Sequence, residues 1–524
     1  MALLKVDNLT VTRGGSTLVD DVSFAIGKGQ RLALIGEAGS GKSLVLRAVA
    51  GLLPPGTTAS GSLGFDDQPM PAGTADRLAL NGRRIGVLLD RNSTGLSPLR
   101  TLGAQLDAAL ARAGREGDRA AQRTELLQEV GLDPALAGRY PEALAAAERR
   151  RALLALALAG KPDLLIADEP AAGLDLLEQR RLLDLILRHC TERGMSLLLA
   201  SHDLRTVAML ATKVAVLRGG KVVEAGEKQE VFGHPRHAFT RAMLSAGRHR
   251  ARTLMRTPIG GTLLELRDVS RREAPGLPLL DRRPPKVRLE AVSFAIRAGE
   301  SVAVIGPAGA GKSTLLRIVA GLERASGGEL AFEQVPYHGS DLPRMLRHEI
   351  GYVFAEPAGS FNPRHTVGES IAEPLQLEMQ KSVDELGARI VEVVRAVGLS
   401  PDILTRLPAD FPLAELQRLA IARALVTRPR LVVIDEPIAA LDIGARGEVL
   451  VLLNRLRADF GLSFLIATHD FDVVRVVADR VLVLDKGHVV EATTPAQMLD
   501  KPQHPVTQQL VASQLPDVGI VPVF

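Results

Sequence analysis

The sequence predicts an α/β protein built from two similar tandem halves, each with a parallel β-sheet at its core. Segments of the first half recur in the second, as in VSFAIGKGQRLALIG (22–36) and VSFAIRAGESVAVIG (292–306). Short apolar segments without polar alternation, such as RLALIG (31–36) and SVAVIG (301–306), alternate with helix-like segments. That pattern is typical of parallel strands buried on both faces.

The recurring segments keep a nearly constant spacing. Lys312 lies 270 residues after Lys42, so each half has about the length of a single domain. We therefore expect a first domain over residues 1–245 and a second over residues 263–524. The basic stretch between them, residues 246–262, is expected to be a linker.

Composition excludes several classes of protein. Of the 524 residues, 46% are hydrophobic and 24% are charged, which is typical of globular domains and excludes a disordered chain. The net charge is only +4, and the densest basic cluster, residues 248–256, holds no aromatic side chain. A solvated linker therefore explains the cluster better than a nucleic-acid site, and no nucleic-acid partner is expected.

The single cysteine and the hydropathy pattern set further limits. Cys190 can form neither an internal disulfide nor a cysteine-based metal cluster, and we expect it to be buried. The first residues do not resemble a signal peptide, and no apolar run reaches the roughly 18 residues that a membrane-spanning helix needs. Any role at a membrane is therefore expected to depend on a partner.

Two loops carry the clearest chemical signal. Residues 36–43, GEAGSGKS, and residues 306–313, GPAGAGKS, both fit the phosphate-binding pattern G-x-x-x-x-G-K-[ST], between an apolar strand and a helix. Glycines let backbone N–H groups surround the phosphates, and the helix N-terminus adds a positive dipole. Two matches in register exclude a chance turn. The candidate nucleotide-binding residues are Gly36, Gly39, Ser40, Gly41, Lys42, Ser43, Gly306, Gly309, Ala310, Gly311, Lys312, Ser313 and Thr314.

Acidic pairs end two other apolar strands. In Asp168-Glu169 and Asp435-Glu436, the aspartate suits Mg²⁺ coordination and the glutamate could act as general base on the attacking water. The serines that end the two phosphate loops would complete the Mg²⁺ sites. A capping or solvated acidic pair is the alternative, but both pairs are followed by Pro and then by Leu-Asp, which disfavours it.

His202 and His469 each follow a further apolar strand and precede an aspartate. One such histidine is more often structural, whereas two in register fit a contact with the γ-phosphate.

With these residues, the chain resembles the ATP-binding cassette (ABC) ATPases of transporters over nearly its whole length, twice. The resemblance implies two P-loop domains, each with a parallel-sheet core, an antiparallel β subdomain and a helical subdomain.

The resemblance also implies roles for individual residues. In that family two cassettes pair head to tail, and ATP lies between the phosphate loop of one and an LSGGQ signature loop of the other. Glu169 and Glu436 match the catalytic bases, and Asp175 and Asp442 match the loop that crosses the interface. The chain is thus expected to pair its own cassettes and to hydrolyse ATP with Mg²⁺.

A narrower resemblance points to importers of dipeptides, oligopeptides and nickel. HPRHAFTRAML (234–244) and QHPVTQQLV (503–511) resemble the HPY-T segment of that group, and SPLRT (97–101) and FNPRHT (361–366) resemble its S-L-N-P stretch. It implies two transmembrane permease subunits, a solute-binding protein and a place at the cytoplasmic face of the inner membrane. No cysteine lies near the HPY-like segments, so no iron–sulfur cluster is expected.

The signature loops depart from the family pattern. LSGGQ is replaced by LAAAE (144–148) and FPLAE (411–415). Each added Cβ hinders close approach of the backbone to phosphate, and Pro412 has no amide hydrogen. We therefore expect ATP binding to survive and hydrolysis to be weakened. Backbone groups alone could instead supply enough of the site for normal rates.

Two further family residues are missing. Asp90 and Ala355 stand where a glutamine is expected, and Asp90 could still meet Mg²⁺ whereas Ala355 could not. Arg13 and Glu273 lie near the position of the aromatic residue that usually stacks on adenine.

Two other functions compete with transport. A nucleotide-binding regulatory or assembly protein with little turnover would fit the altered signatures, but it would not need to keep both glutamates and both histidines. A ribosome-associated or DNA-repair ATPase would carry a long charged linker, a coiled coil or a zinc hook, and none of these is visible. The leading prediction is the energising subunit of a peptide-type ABC importer.

Overall fold

The computed structural model describes most of the chain, namely residues 2–70, 79–89, 95–247, 258–273, 286–377, 382–439 and 441–516. The chain divides into two compact units. One comprises Met1–Arg248 with Gln514–Phe524, and the other comprises His249–Ser513. The basic cluster at 248–256 lies outside the described residues.

The first unit begins with antiparallel strands and then alternates strands with helices. Its strands are β1 (Ala2–Arg13), β2 (Ser16–Gly27), β3 (Arg31–Ile35), β4 (Thr57–Phe65), β5 (Gln68–Pro69), β6 (Ile85–Leu88), β7 (Leu164–Asp168), β8 (Ser196–Ala200), β9 (Lys213–Arg218) and β10 (Lys221–Glu227). Its helices are α1 (Lys42–Ala50), α2 (Leu102–Arg112), α3 (Arg119–Glu129), α4 (Ala146–Leu158), α5 (Leu176–Glu192), α6 (Leu204–Leu210), α7 (Lys228–Gly233) and α8 (Ala238–Gly247).

The second unit repeats this order. Its strands are β11 (Thr262–Glu273), β12 (Lys286–Arg297), β13 (Ser301–Ile305), β14 (Gly327–Phe332), β15 (Val335–Tyr337), β16 (Ile350–Val353), β17 (Leu431–Asp435), β18 (Ser463–Ala467), β19 (Arg480–Asp485) and β20 (His488–Thr493). Its helices are α9 (Lys312–Val319), α10 (Arg344–Arg347), α11 (Pro357–Ser360), α12 (Val367–Ala372), α13 (Val383–Ala396), α14 (Leu413–Leu425), α15 (Ile443–Phe460), α16 (Phe471–Val477), α17 (Pro495–Asp500) and α18 (Pro505–Ala512).

A mainly parallel sheet forms the core of each unit, as predicted. The first has the order β10-β9-β3-β8-β7-β6, and the second has the order β16-β17-β18-β13-β19-β20. In each sheet the outermost strand, β10 or β20, runs antiparallel to its neighbour. Every residue of β7, β8, β17 and β18 is buried, which explains why these strands lack polar alternation.

An antiparallel sheet covers the start of each unit, with the orders β2-β1-β4-β5 and β12-β11-β14-β15. A helical region lies between β6 and β7 in the first unit and between β16 and β17 in the second. Each unit therefore has the three parts that the family resemblance implies.

The helix that follows the first phosphate loop is shorter than its sequence suggests. The apolar pattern of residues 43–53 is typical of a helix over its whole length, but α1 ends at Ala50. Gly51 has a φ of 69° and donates its N–H to the carbonyl of Ala48, so it terminates the helix as a left-handed cap. Within the described residues, no helix is both long enough and apolar enough to cross a membrane.

Candidate functional site

The two phosphate loops have the same backbone shape. Each follows the central strand of its parallel sheet, and α1 and α9 begin at Lys42 and Lys312. Gly36 and Gly306 both have a φ of 152°. A Cβ at these positions would lie 2.2 Å from the Leu217 carbonyl oxygen or 2.1 Å from that of Leu484. Glycine is therefore required at the first position of each loop.

The lysines of these loops point back across the loop backbone. The Lys42 ammonium donates to the carbonyls of Gly36 and Glu37 at 2.8 and 2.7 Å and to the Ser40 hydroxyl at 3.1 Å. The Lys312 ammonium donates to the carbonyls of Gly306 and Pro307 at 2.7 and 3.0 Å. In both units a positive charge thus lies within the loop whose amides could bind phosphate.

The buried aspartates Asp168 and Asp435 end the strands β7 and β17, beside the phosphate loops. Asp435 accepts a hydrogen bond from the Ser313 hydroxyl at the start of α9. Burial raises the pKa of the Asp435 carboxyl above its usual value. Their burial excludes the alternative of a solvated acidic pair.

Glu169 forms a compact network with the strand that follows it in the sheet. Its Oε1 accepts from the backbone N–H of His202 at 2.7 Å and lies 2.5 Å from His202 Nδ1. Its Oε2 accepts from the Ser201 hydroxyl at 3.0 Å. The structure thus brings together the predicted glutamate and histidine.

Glu436 makes a looser version of this network. Its Oε2 lies 2.8 Å from His469 Nδ1 and 3.4 Å from both the His469 amide nitrogen and the Thr468 hydroxyl. Burial lowers the pKa of His469, but the carboxylate of Glu436 more than offsets this, and the pKa lies above its usual value. The predicted pair is therefore present in the second unit as well.

Both glutamates adopt a left-handed backbone conformation, in which their side chains contact the histidines. Glu169 and Glu436 have φ angles of 46° and 51°, which are uncommon for residues other than glycine. The backbone N–H of each donates to the last residue of the neighbouring strand, Ala200 or Ala467, at 2.9 Å. Backbone strain of this kind costs about 1–3 kcal/mol and occurs most often at functional sites.

Asp175 and Asp442 act as helix caps within their own units. Asp175 accepts from the Glu178 N–H at 2.9 Å at the start of α5, and Asp442 accepts from the Ala445 N–H at 2.9 Å at the start of α15. Their implied place at an interface between cassettes remains a prediction.

The altered signature loops stand at the start of α4 and α14. Ala145 and Pro412 are the N-cap residues of these helices, and neither makes a side-chain capping bond. In the first unit the Glu148 carboxylate accepts from the Ala145 N–H at 2.8 Å. A negative side chain thus satisfies an amide at a helix N-terminus, where anions are otherwise favoured.

The structure also locates three of the four positions where family residues are missing. Asp90 lies outside the described residues, and Ala355 follows β16 without a polar side chain. Arg13 and Glu273 are the last residues of β1 and β11, so their positions in the two units correspond. Glu273 forms an ion pair with Arg288 at 2.6 Å.

Sequence reasoning missed four side chains near the acidic groups. Ser201 and Thr468 donate to the two glutamates, and a hydroxyl residue directly before each histidine was the signal. In the second unit, Arg317 forms a hydrogen bond with Tyr352, and its charge partly offsets the burial that raises the pKa of Asp435. No repeated pattern could have shown this contact, because Val87 replaces the tyrosine in the first unit.

Comparison with known proteins gives the family. The profile of the ABC transporter family matches residues 19–172 and 289–439. The chain belongs to the ABC transporter family. The peptidoglycan transport ATP-binding protein YejF of Agrobacterium fabrum is 36% identical over 526 residues, covering 98% of this chain and 96% of the relative. The glutathione import ATP-binding protein GsiA of Escherichia coli K12 is 31% identical over 559 residues, covering 98% of this chain and 89% of the relative.

These matches confirm the prediction that this ABC transporter protein contains two fused cassettes. Both halves match the same family profile, so each half is a cassette, and the relatives match along nearly the entire chain. The predictions of a nucleotide-using ATPase and of an ATP-binding subunit for import are likewise confirmed at the level of the family.

Proposed function

We propose that this ABC transporter protein binds ATP at both phosphate loops and hydrolyses it to drive import of peptides or similar small solutes. The supporting observation is the coincidence, in each cassette, of four groups at one edge of the parallel sheet. These groups are the loop lysine, the buried aspartate, and the paired glutamate and histidine. ATP hydrolysis requires phosphate binding and a base beside the attacking water, and these groups can supply both.

ATP binding would begin at the phosphate loops. Backbone N–H groups of residues 36–43 and 306–313 would bind the phosphates at the starts of α1 and α9. Lys42 and Lys312 would exchange their loop carbonyls for phosphate oxygens. The charge of each ammonium then compensates the negative charge that it approaches.

The neighbouring oxygen ligands fit Mg²⁺. Ser313 and Asp435 are joined by a hydrogen bond, and both offer the hard oxygen atoms that Mg²⁺ prefers. Ser43 and Asp168 are the corresponding residues of the first cassette. Within the described residues, no cluster of three or more His, Cys, Asp or Glu side chains could hold a metal. When bound, Mg²⁺ would neutralise charge on the phosphates, and its other ligands would be phosphate and water oxygens.

Glu169 and Glu436 would act as general bases, each accepting a proton from the attacking water. His202 and His469 contact these carboxylates now and would turn toward the γ-phosphate when nucleotide is present. The short glutamate–histidine distances, 2.5 and 2.8 Å, support a shared role for the two groups at one phosphate.

Import is supported by the relatives and by two recurring segments. YejF and GsiA are described as transport and import proteins, and both match over nearly the whole chain. Residues 234–244 and 503–511 resemble segments of peptide-type importers. The partners would be two transmembrane permease subunits and a solute-binding protein, and the two cassettes would pair within the chain at the cytoplasmic face of the inner membrane.

Exposed apolar side chains in the second cassette would contact a permease. Leu322, Met345 and Phe354 are 53%, 67% and 40% exposed. The turn at Gly321 packs against Leu342 just before α10, which brings the first two of these regions together. Neighbouring exposed apolar groups, as in the regions of Leu322 and Met345, are a common feature of protein–protein contacts.

The deciding experiment is ATP turnover of the purified chain beside the Glu169→Gln/Glu436→Gln double variant, with and without membranes that contain the permeases. We expect turnover that the double substitution reduces by at least tenfold. Nucleotide binding without turnover above the double variant in both conditions would contradict the proposal. It would instead support the regulatory alternative, which the altered helix starts at Ala145 and Pro412 favour.

A further inference from the structure

The two glutamates differ in how completely their carboxylates are occupied. The Glu169 side chain is only 4% exposed, and both of its oxygens are engaged. Oε1 contacts the amide and the ring of His202 at 2.7 and 2.5 Å, and Oε2 accepts from the Ser201 hydroxyl at 3.0 Å. Because the side chain is buried and donors already lie against both oxygens, an attacking water has little room beside this carboxylate.

Glu436 keeps one oxygen available. Its side chain is 18% exposed, and its contacts with Thr468 and His469 all use Oε2. Among the residues that the structure describes, none donates a hydrogen bond to Oε1 of Glu436. Two of the three contacts to Oε2 are also long, at 3.4 Å. A water beside Oε1 could therefore be deprotonated without first breaking a bond.

The phosphate loops differ in the same direction. The Ser40 hydroxyl accepts from Lys42 at 3.1 Å, and the lysine is 5% exposed. Ala310 takes the place of this serine in the second cassette and offers no hydroxyl to Lys312. The first phosphate loop therefore contains a serine–lysine contact that cannot form in the second.

We propose that the two ATP sites are unequal and that the site of Glu436 carries most of the hydrolysis. This inference rests on the proposed function, in which the glutamates are the bases. The water oxygen forms a bond to the γ-phosphorus while the bond from that phosphorus to the β–γ bridging oxygen breaks. The electron pair of the broken bond leaves with ADP, and the water proton passes to Oε1 of Glu436. Ser201 acts as a positioning residue that keeps the Glu169 carboxylate bonded away from the water.

Site-resolved trapping tests this inequality. The full chain would be incubated with Mg²⁺, 8-azido-ATP and vanadate, irradiated and digested, and the label in each cassette measured by mass spectrometry. We expect at least fivefold more label on peptides of the second cassette. Equal labelling, or more label on the first cassette, would overturn the inference.

Single variants provide the second readout. Glu436→Gln should remove at least four-fifths of the turnover, whereas Glu169→Gln should keep more than half. Equal losses, or a greater loss in Glu169→Gln, would overturn the inequality while leaving the proposed bases in place. If the double variant hydrolysed ATP like the unmodified chain, the proposed function itself would fail.

Removal of the Ser201 hydroxyl tests the positioning role. Ser201→Ala should remove this bond to Oε2 of Glu169 and raise the share of trapped label in the first cassette at least twofold. A merely structural role would lower the amount of folded protein without changing this share. Thr191→Ala, which removes an exposed hydroxyl that contacts the Leu187 carbonyl, is the matched control and should leave the share unchanged. An unchanged share in Ser201→Ala would overturn the role of Ser201.

Discussion

Gly36 occupies the most confined position of the first phosphate loop. A methyl group there would lie 2.2 Å from the Leu217 carbonyl oxygen, so the loop or β9 would have to move. We expect Gly36→Ala to weaken nucleotide binding in the first cassette at least tenfold. The measurement is titration with a fluorescent ATP analogue in a Lys312→Ala background, which isolates this site.

Gly39 is the matched control for that substitution. It has a φ of 78°, but a Cβ added there would have no neighbouring atom within 4 Å. Gly39→Ala therefore adds backbone strain of about 1–2 kcal/mol but no clash with the surrounding protein, so the loop can keep its shape. Equal affinity losses in the two variants, with unchanged thermal unfolding, would contradict the steric explanation.

The candidate residues could be predicted from the sequence because each sits beside a recognisable strand. Apolar runs place Asp168 and His202 at the ends of β7 and β8, and parallel strands end at one edge of the sheet. The pattern does not say which strands are neighbours, so the contact between Glu169 and His202 could not be derived. It also did not show that Ser201 completes the carboxylate's hydrogen bonds.

At the scale of elements, one partly buried carboxylate anchors the last helix of each cassette. Glu491 of β20 accepts from the Thr507 hydroxyl at 2.5 Å and from the amide of His504 at 2.9 Å, at the start of α18. Glu224 of β10 accepts from the amides of Arg236 and His237 at 2.8 and 3.0 Å, before α8. The His-and-Thr segments that resemble those of importers thus have a structural role, which their resemblance alone did not indicate.

The attachment of α18 should depend on pH. Partial burial tends to raise the pKa of Glu491, but hydrogen bonds from Thr507, His504 and Gln503 bring it below its usual value. The stabilisation is therefore present above the unfolded pKa of about 4.3 and is lost as the pH falls through the lower folded value. We expect faster amide hydrogen exchange in α18 over that range, after correction for the intrinsic rate.

Glu491→Gln should reproduce this loosening at neutral pH, by about 1 kcal/mol, because the amide is a weaker acceptor than the carboxylate. Asp500→Asn changes an exposed carboxylate at the end of α17 and is the control, with no change expected in α18. Exchange in α18 that is equally slow in Glu491→Gln and the unmodified chain would show that the carboxylate does not hold the helix.

At the scale of the whole molecule, the two cassettes use arginines at different sequence positions to bind backbone carbonyls. In the second, the buried Arg457 donates to the Gly299 carbonyl at 2.7 Å and pairs with Asp479. The first has the small, buried Cys190 at the matching position, and Arg31 instead donates to the Leu210 carbonyl at 2.5 Å. Comparison of the two halves of the sequence predicts the shared fold but does not predict such exchanges. The arginine stands at a different sequence position in each half, although its charge serves the same place in the structure.

Coupling to a membrane partner is a property of the whole molecule, and Met345 offers the sharpest test. Its side chain is 67% exposed on α10, so a charge there should disturb neither folding nor ATP binding. We expect Met345→Glu to leave the ATP turnover of the isolated chain unchanged. In membranes that contain the permeases, we expect it to reduce solute uptake at least fivefold, because a carboxylate would have to be desolvated at an apolar contact. Val451→Glu makes the same change at a side chain that is 56% exposed on α15 and is expected to transport normally. Normal uptake by Met345→Glu, or an equal loss in both variants, would show that the α10 region is not where the permease binds.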